Sequence, residues 1–291
     1  MTRARATGIG FGAILLWSAL ALFTVGTAPV PPFLLNALTF ALGGAVGLVW
    51  IAATGGFGQL RAVGWRVYLF GTGALFAYHF LYFSALRLAP AAEAGLICYL
   101  WPLLIVLLSG LMPGERLTIW HVLGGLLSFG GTALLILGKG AATVPGAQAG
   151  FAMAALAALT WAGYSVLSRR LGAVPTGSVA VFCLGTAVLS ALCHLALEET
   201  LWPVGAIGWA SVVALGLGPV GLAFYVWDIG MKRGDIQMLG VASYAAPLLS
   251  TLALVLAGIT APGYAIGLAA ILIAAGAGLA AWASSTRTRQ S

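Results

Sequence analysis

Residues 95–104, GLICYLWPLL, recur 145 positions later as residues 240–249, GVASYAAPLL, with Gly, Tyr and the closing Pro-Leu-Leu in register. Trp17 in LLW matches Trp161 in LTW at a spacing of 144, and Gly131 matches Gly276 at 145. In a chain of 291 residues this means that the molecule is built twice. Both copies lie inside long apolar runs, each broken by a proline at the same place.

The apolar runs define the setting. Hydrophobic residues make up 62% of the chain and charged residues 7%, against about 45–50% and 25% in soluble domains. This is an integral membrane protein with the lipid bilayer as its partner. Crossing a hydrocarbon core of about 30 Å takes roughly 20 apolar residues in a helix, and ten such runs follow one another. They are expected at 8–23, 32–52, 67–86, 90–111 and 119–137, then 149–168, 178–196, 209–231, 236–259 and 264–284. Strict alternation of apolar and polar residues is absent, which argues against a β-barrel. The first run is read as the first span rather than a cleavable signal, because no small-residue cleavage site precedes a hydrophilic stretch.

Ten spans in two copies give five spans per copy, residues 1–140 and 141–291. Five is odd, so the second copy must enter the membrane from the opposite side. The expected fold is therefore all-α and polytopic, with two inverted five-helix repeats. Such repeats support alternating access around a site near the bilayer midplane, often built on interrupted helices.

The basic residues set the orientation. With the amino terminus inside, Arg3, Arg5, Arg61, Arg66, Arg116, Arg169, Arg170, Lys232, Arg233, Arg287 and Arg289 fall on the cytoplasmic side, and Arg87 and Lys139 fall outside. Cytoplasmic loops carry this excess as a rule. Both termini are then cytoplasmic, and the net charge of +7 reflects topology rather than a nucleic-acid surface. Cys98, Cys183 and Cys193 lie within spans at unrelated spacings, which suggests neither disulfides nor a metal site.

Tryptophan favours membrane interfaces. Trp50, Trp65, Trp120, Trp202, Trp209 and Trp282 fit that preference, and Trp227 lies one turn from an end. Trp17, Trp101 and Trp161 lie deeper, where a central cavity is expected. In the third span, Leu75, Tyr78, His79, Tyr82 and Leu86 share one helical face, and polar side chains within a membrane usually face the bundle interior or water. His79 is either a substrate contact or a neutral histidine bonded to a carbonyl of a neighbouring helix. In the fourth span Gly95, Tyr99 and Pro102 share a face, with Trp101 roughly opposite Tyr99 in an ideal helix. Proline should kink this helix, and the ninth span repeats the arrangement with Gly240, Ser243, Tyr244 and Pro247. The sixth span offers Trp161, Tyr164, Ser165 and Ser168 on a face. The candidate substrate contacts are thus Trp17, Tyr78, His79, Tyr82, Tyr99, Trp101, Trp161, Tyr164 and Tyr244, with Gly95, Pro102, Gly240 and Pro247 as hinge positions.

Carboxylates are informative by position. Glu93 and Asp228 lie near span ends, and Glu115, Glu198, Glu199 and Asp235 in loops. A proton-coupled pump for organic cations would be expected to carry one at mid-depth. Asp228 reads as a gate or a partner of nearby Lys232.

The chain resembles the drug/metabolite transporter superfamily, EamA-like proteins with ten helices in inverted five-helix repeats. Within it the resemblance is to the bacterial aromatic amino acid exporters. It is carried by the opening MTRARATGIGFGAILLWS, by YLWP at 99–102, WAGY at 161–164 and SYAAPLLS at 243–250. The arginine often present in the second span is replaced here by Asn36. The resemblance implies an inner-membrane exporter of aromatic and other neutral amino acids, working without a cofactor. A multidrug or metabolite exporter of the same fold and a passive channel remain alternatives. An intramembrane enzyme lacks support, since neither G-x-S-x-G nor HExxH occurs. Energy coupling and oligomeric state are open, with a monomer sufficient for the reading.

Overall fold

The computed structural model describes residues 1–137, 146–259, 261 and 263–288, with side chains through Ser285. Lys139, Arg289 and the Arg287 side chain, all used in the orientation argument, lie outside the described residues. Among the described residues, ten helices are long and apolar enough to cross a membrane. They are α1 (Arg3–Gly26), α2 (Pro32–Thr54), α3 (Trp65–Leu88), α4 (Ala91–Ser109), α5 (Ile119–Leu137), α6 (Gln148–Leu171), α7 (Ser178–Leu197), α8 (Gly205–Arg233), α9 (Ile236–Leu256) and α10 (Tyr264–Ser285). The largest shifts from the sequence reading are in α1, which starts five residues earlier, and in α8, which is longer at both ends.

Four of the helices are interrupted. In α4 the halves Ala91–Cys98 and Trp101–Ser109 are separated at Tyr99 and Leu100. In α9 the halves Ile236–Ala242 and Ala245–Leu256 are separated at Ser243 and Tyr244. Both breaks fall just before a proline, Pro102 or Pro247, whose ring collides with the turn before it. Helix α8 passes through a π turn, Gly218–Leu222, that contains Pro219; the matching position in α3 is Ala74, and α3 is continuous. Helix α1 breaks at Ala19 without a proline.

The main packing partners are α5 with α10, α2 with α7, α1 with α8, α3 with α6, α4 with α6, α1 with α9, α2 with α8 and α3 with α7. Replacing each helix by the one five places away turns α3 with α6 into α8 with α1, α4 with α6 into α9 with α1, and α2 with α8 into α7 with α3, and returns α5 with α10 and α2 with α7 to themselves. The same exchange holds at residue level. A methyl group on Gly131 would sit 3.0 Å from the carbonyl oxygen of Ala269, and one on Gly124 would sit 2.5 Å from that of Gly276. Ser128 Oγ donates to the carbonyl oxygen of Ile273, its own counterpart 145 positions on, at 3.4 Å. Small residues let backbones approach where lipid removes the hydrophobic drive for association. The same device brings Gly10 against Gly230 and Gly43 against Gly221.

Candidate transport cavity

A cavity of about 810 Å³ enters the bundle from the end that carries Arg87 and Glu198. Its upper wall is built from the end of α1 (Leu20, Thr24), the start of α2 (Pro32, Asn36, Thr39) and the second half of α3 (Tyr78, His79, Tyr82, Phe83). Cys98, Tyr99 and Trp101 enter from the α4 break, and Trp17, Trp161, Phe224 and Ala246 close the floor. None of the described residues lining it carries a formal charge.

The floor is a tryptophan cluster. Trp17 lies 5.0 Å from Trp227, 5.9 Å from Trp161 and 6.1 Å from Trp101 between ring centroids. Trp101 meets Trp161 and Trp227 edge-on, at 89° and 88°. These are the separations and tilts that aromatic quadrupoles favour, each worth about 0.5–1.5 kcal/mol beyond burial. The Trp17 indole donates to the carbonyl oxygen of Pro219 at 3.1 Å, tying α1 to the π turn of α8.

Trp227 corrects the interface assignment. It is 1% exposed and its indole donates to Ser165 Oγ at 3.1 Å. A buried indole needs a partner for its N–H; Ser165 supplies one, and the ring joins the cluster instead of the headgroup region.

Seven of the nine candidate contacts line the cavity: Trp17, Tyr78, His79, Tyr82, Tyr99, Trp101 and Trp161. Tyr99 and Trp101, opposed on an ideal helix, both reach it because the helix is interrupted between them. Tyr164 and Tyr244 do not line it. Tyr164 packs on Trp161 and Phe70; Tyr244 is fully buried and its hydroxyl accepts from the Leu103 amide at 3.2 Å. His79 bonds a carbonyl of its own helix, Leu75, through Nδ1 at 2.8 Å. Donation from Nδ1 makes Nε2 the acceptor of the neutral ring. Asn36, Thr39, Phe83, Pro219 and Phe224 were not among the sequence candidates.

The opposite end is closed by ion pairs. Glu115, after α4, meets Arg3 of α1 and Arg169 at the end of α6, and Arg3 also reaches Asp235 at 3.2 Å. Arg169 donates to the carbonyl oxygens of Met231 and Gly234 at 2.8 and 3.0 Å, where the C-terminus of α8 favours a cation. Next to them Asp228 is paired with Lys232 at 2.9 Å and accepts from Thr176 at 2.7 Å. At the open end Glu198 accepts from the Phe33 and Leu34 amides, from Arg87 and from His194, an anion seated on the α2 N-terminus.

Ten membrane helices around an aromatic cavity, open at one end and bolted at the other, define a polytopic transporter. The sequence profile of the EamA-like transporter family matches residues 6–137 and 148–282, and the chain belongs to that family. It is 58% identical to the aromatic amino acid exporter YddG of Ancylobacter novellus, over 96% of this chain and 98% of that one. It is 28% identical to the protein of the same name from Escherichia coli K12, over 86% of this chain and 88% of that one. A solved crystal structure with 57% identity superposes with a TM-score of 0.92, covering 96% of this chain and 98% of the other. The protein is a multi-pass transporter of the bacterial inner membrane, not an enzyme.

Proposed function

We propose that the protein exports aromatic and other neutral amino acids from the cytoplasm by alternating access. The observation that carries this is the cavity: deep, aromatic-floored and without formal charge. A ligand with net charge would lose its hydration there without a counter-ion, whereas a zwitterion is neutral overall. Its side chain meets Trp17, Trp101 and Trp161, and its polar end is within the reach of His79 Nε2, Asn36, Thr39 and the tyrosine hydroxyls. Stacking and apolar contact discriminate weakly between similar side chains, so a range of substrates is expected.

On this reading residues 1–140 and 141–291 are inverted repeats with both termini cytoplasmic. The exchange-symmetric packing of the helices and the contact of Ser128 with Ile273 support the inversion. The charge distribution makes the open end extracellular and the ion-paired end cytoplasmic. Helices α1, α8 and α9 pack as one group and α3, α4 and α6 as another. Rocking of the two about Gly95, Pro102, Gly240 and Pro247 would open one end while closing the other. The size of the cavity keeps a broader metabolite exporter as a second reading.

A competition panel in proteoliposomes tests the substrate class. Unlabelled tryptophan, phenylalanine and leucine should each suppress uptake of labelled phenylalanine, and organic cations should not. Suppression by cations with no effect of amino acids would replace this reading with the second one.

A further inference from the structure

Residues 78–104 align with 223–249 without a gap, which sets Tyr82, Phe83, Leu86 and Arg87 opposite Trp227, Asp228, Met231 and Lys232. The α1 to α6 register of Trp17 and Trp161 likewise sets Leu20 opposite Tyr164 and Thr24 opposite Ser168.

Apart from Arg87 and Lys232, neither of which lines the cavity, the pairs fall into two groups. Trp17 with Trp161, His79 with Phe224, and Trp101 with Ala246 all line the cavity, both members of each pair. They mark the level where the repeats cross. Beyond it only one member of each pair lines the cavity: Tyr82, Phe83, Leu86, Leu20, Thr24 and Tyr99 do, and their counterparts do not and are buried. The two candidate contacts that miss the cavity, Tyr164 and Tyr244, belong to this second group. If the repeats exchange conformations, the packed members become the wall of the inward-open cavity.

One exchange changes the chemistry. Phe83 is replaced by Asp228, 3% exposed now and held between Lys232 and Thr176. Thr176 lies on the α6–α7 turn, at the position that Pro32 occupies at the mouth of the present cavity in the same register. Lys232 holds the same turn by donating to the carbonyl oxygen of Val174 at 3.0 Å. Withdrawal of this turn would open the inner mouth and release Asp228 Oδ2 from Thr176 and the Lys232 ammonium from the Val174 carbonyl, the two side chains staying paired through Oδ1.

We propose that Asp228 and Lys232 form a charged loading site, exposed only when the protein faces the cytoplasm, in which Asp228 binds the ammonium and Lys232 the carboxylate of the zwitterion. The site rests on the amino acid and inverted-repeat readings above. A substrate is then taken up against two charges and released from a cavity that has none. Ionisable side chains within membrane segments mark substrate and ion pathways, and the closed state keeps these two paired, avoiding the cost of a lone buried charge.

The test compares the two faces. Inside-out membrane vesicles and right-side-out cells give the half-inhibitory phenylalanine concentration at each face for wild type and Asp228→Asn. A lost charged hydrogen bond should weaken inner-face binding roughly tenfold or more, with the outer face unchanged within about twofold. A mere latch would shift the conformational equilibrium and move the two faces in opposite directions. That outcome, equal weakening at both faces, or an unchanged inner face would overturn the proposal. If D228N does not fold, the double variant D228N/K232Q removes both charges and must show the same one-sided loss. Absence of saturable phenylalanine transport in wild type would instead overturn the substrate reading.

Discussion

Tyr99 and Tyr244 hold the same place in the two copies of G-x-x-x-Y-x-x-P-L-L, yet Tyr99 lines the cavity while Tyr244 is buried with its hydroxyl accepting the Leu103 amide. The α4 break supplies the reason. Interruption at Tyr99 and Leu100 starts a new helix at Trp101, whose first amides lack helical acceptors. The hydroxyl of Tyr244, reaching across from α9, meets one of them.

Tyr244→Phe removes that acceptor and should cost about 1 kcal/mol. Thermal unfolding in detergent should begin a few degrees lower, with substrate half-saturation unchanged at the outer face. Tyr99→Phe should do the reverse, altering outer-face half-saturation with no loss of thermal stability.

Trp101→Ala opens the floor and removes edge contacts with Trp17, Trp161 and Trp227. Loss of one aromatic contact to a substrate ring, about 0.5–1.5 kcal/mol, predicts a roughly two- to tenfold drop in initial phenylalanine transport. The variant should still elute as a single peak in detergent. Full activity would remove Trp101 from the site.

Gly124→Ala forces a methyl group toward a backbone oxygen of α10, and backbone cannot yield as a side-chain tip does. The α5–α10 contact should loosen, seen as a lower unfolding temperature and lower membrane yield. Gly130→Ala, with open space around it, is the matched control and should behave as wild type.

Arg169→Met takes away the bonds to Glu115 and to the α8 C-terminus that close the inner end. The population should move toward the inward-open state. A membrane-impermeant thiol reagent added outside should label a cysteine at Thr24, on the exposed cavity wall, more slowly in the Arg169→Met background. Unchanged labelling would separate this cluster from gating.

Much of this architecture is legible because lipid imposes simple lengths and periods. Ten apolar runs become ten helices, and the face of Tyr78, His79 and Tyr82 lies together on the cavity wall. What sequence hides is which neighbour a side chain meets. Trp227 sits near a helix end and reads as an interface residue until Ser165 is found beside its N–H. Asn36 lines the cavity and also donates to Ser190 on α7 at 2.7 Å; nothing along α2 distinguishes those roles. Phe224 joins the floor just after the π turn that contains Pro219, and nothing in the pattern of α8 marks it. Tyr99 and Tyr244 share a motif, and only the conformation of the whole bundle separates them.

Counterflow tests the central claim most directly. Proteoliposomes loaded with unlabelled tryptophan and diluted into a trace of labelled tryptophan should accumulate label transiently above equilibrium, because a carrier returns loaded from each side in turn. The overshoot should vanish without internal tryptophan and shrink strongly in Trp101→Ala. Monotonic entry of label with no overshoot, independent of internal substrate, would contradict alternating access through this cavity.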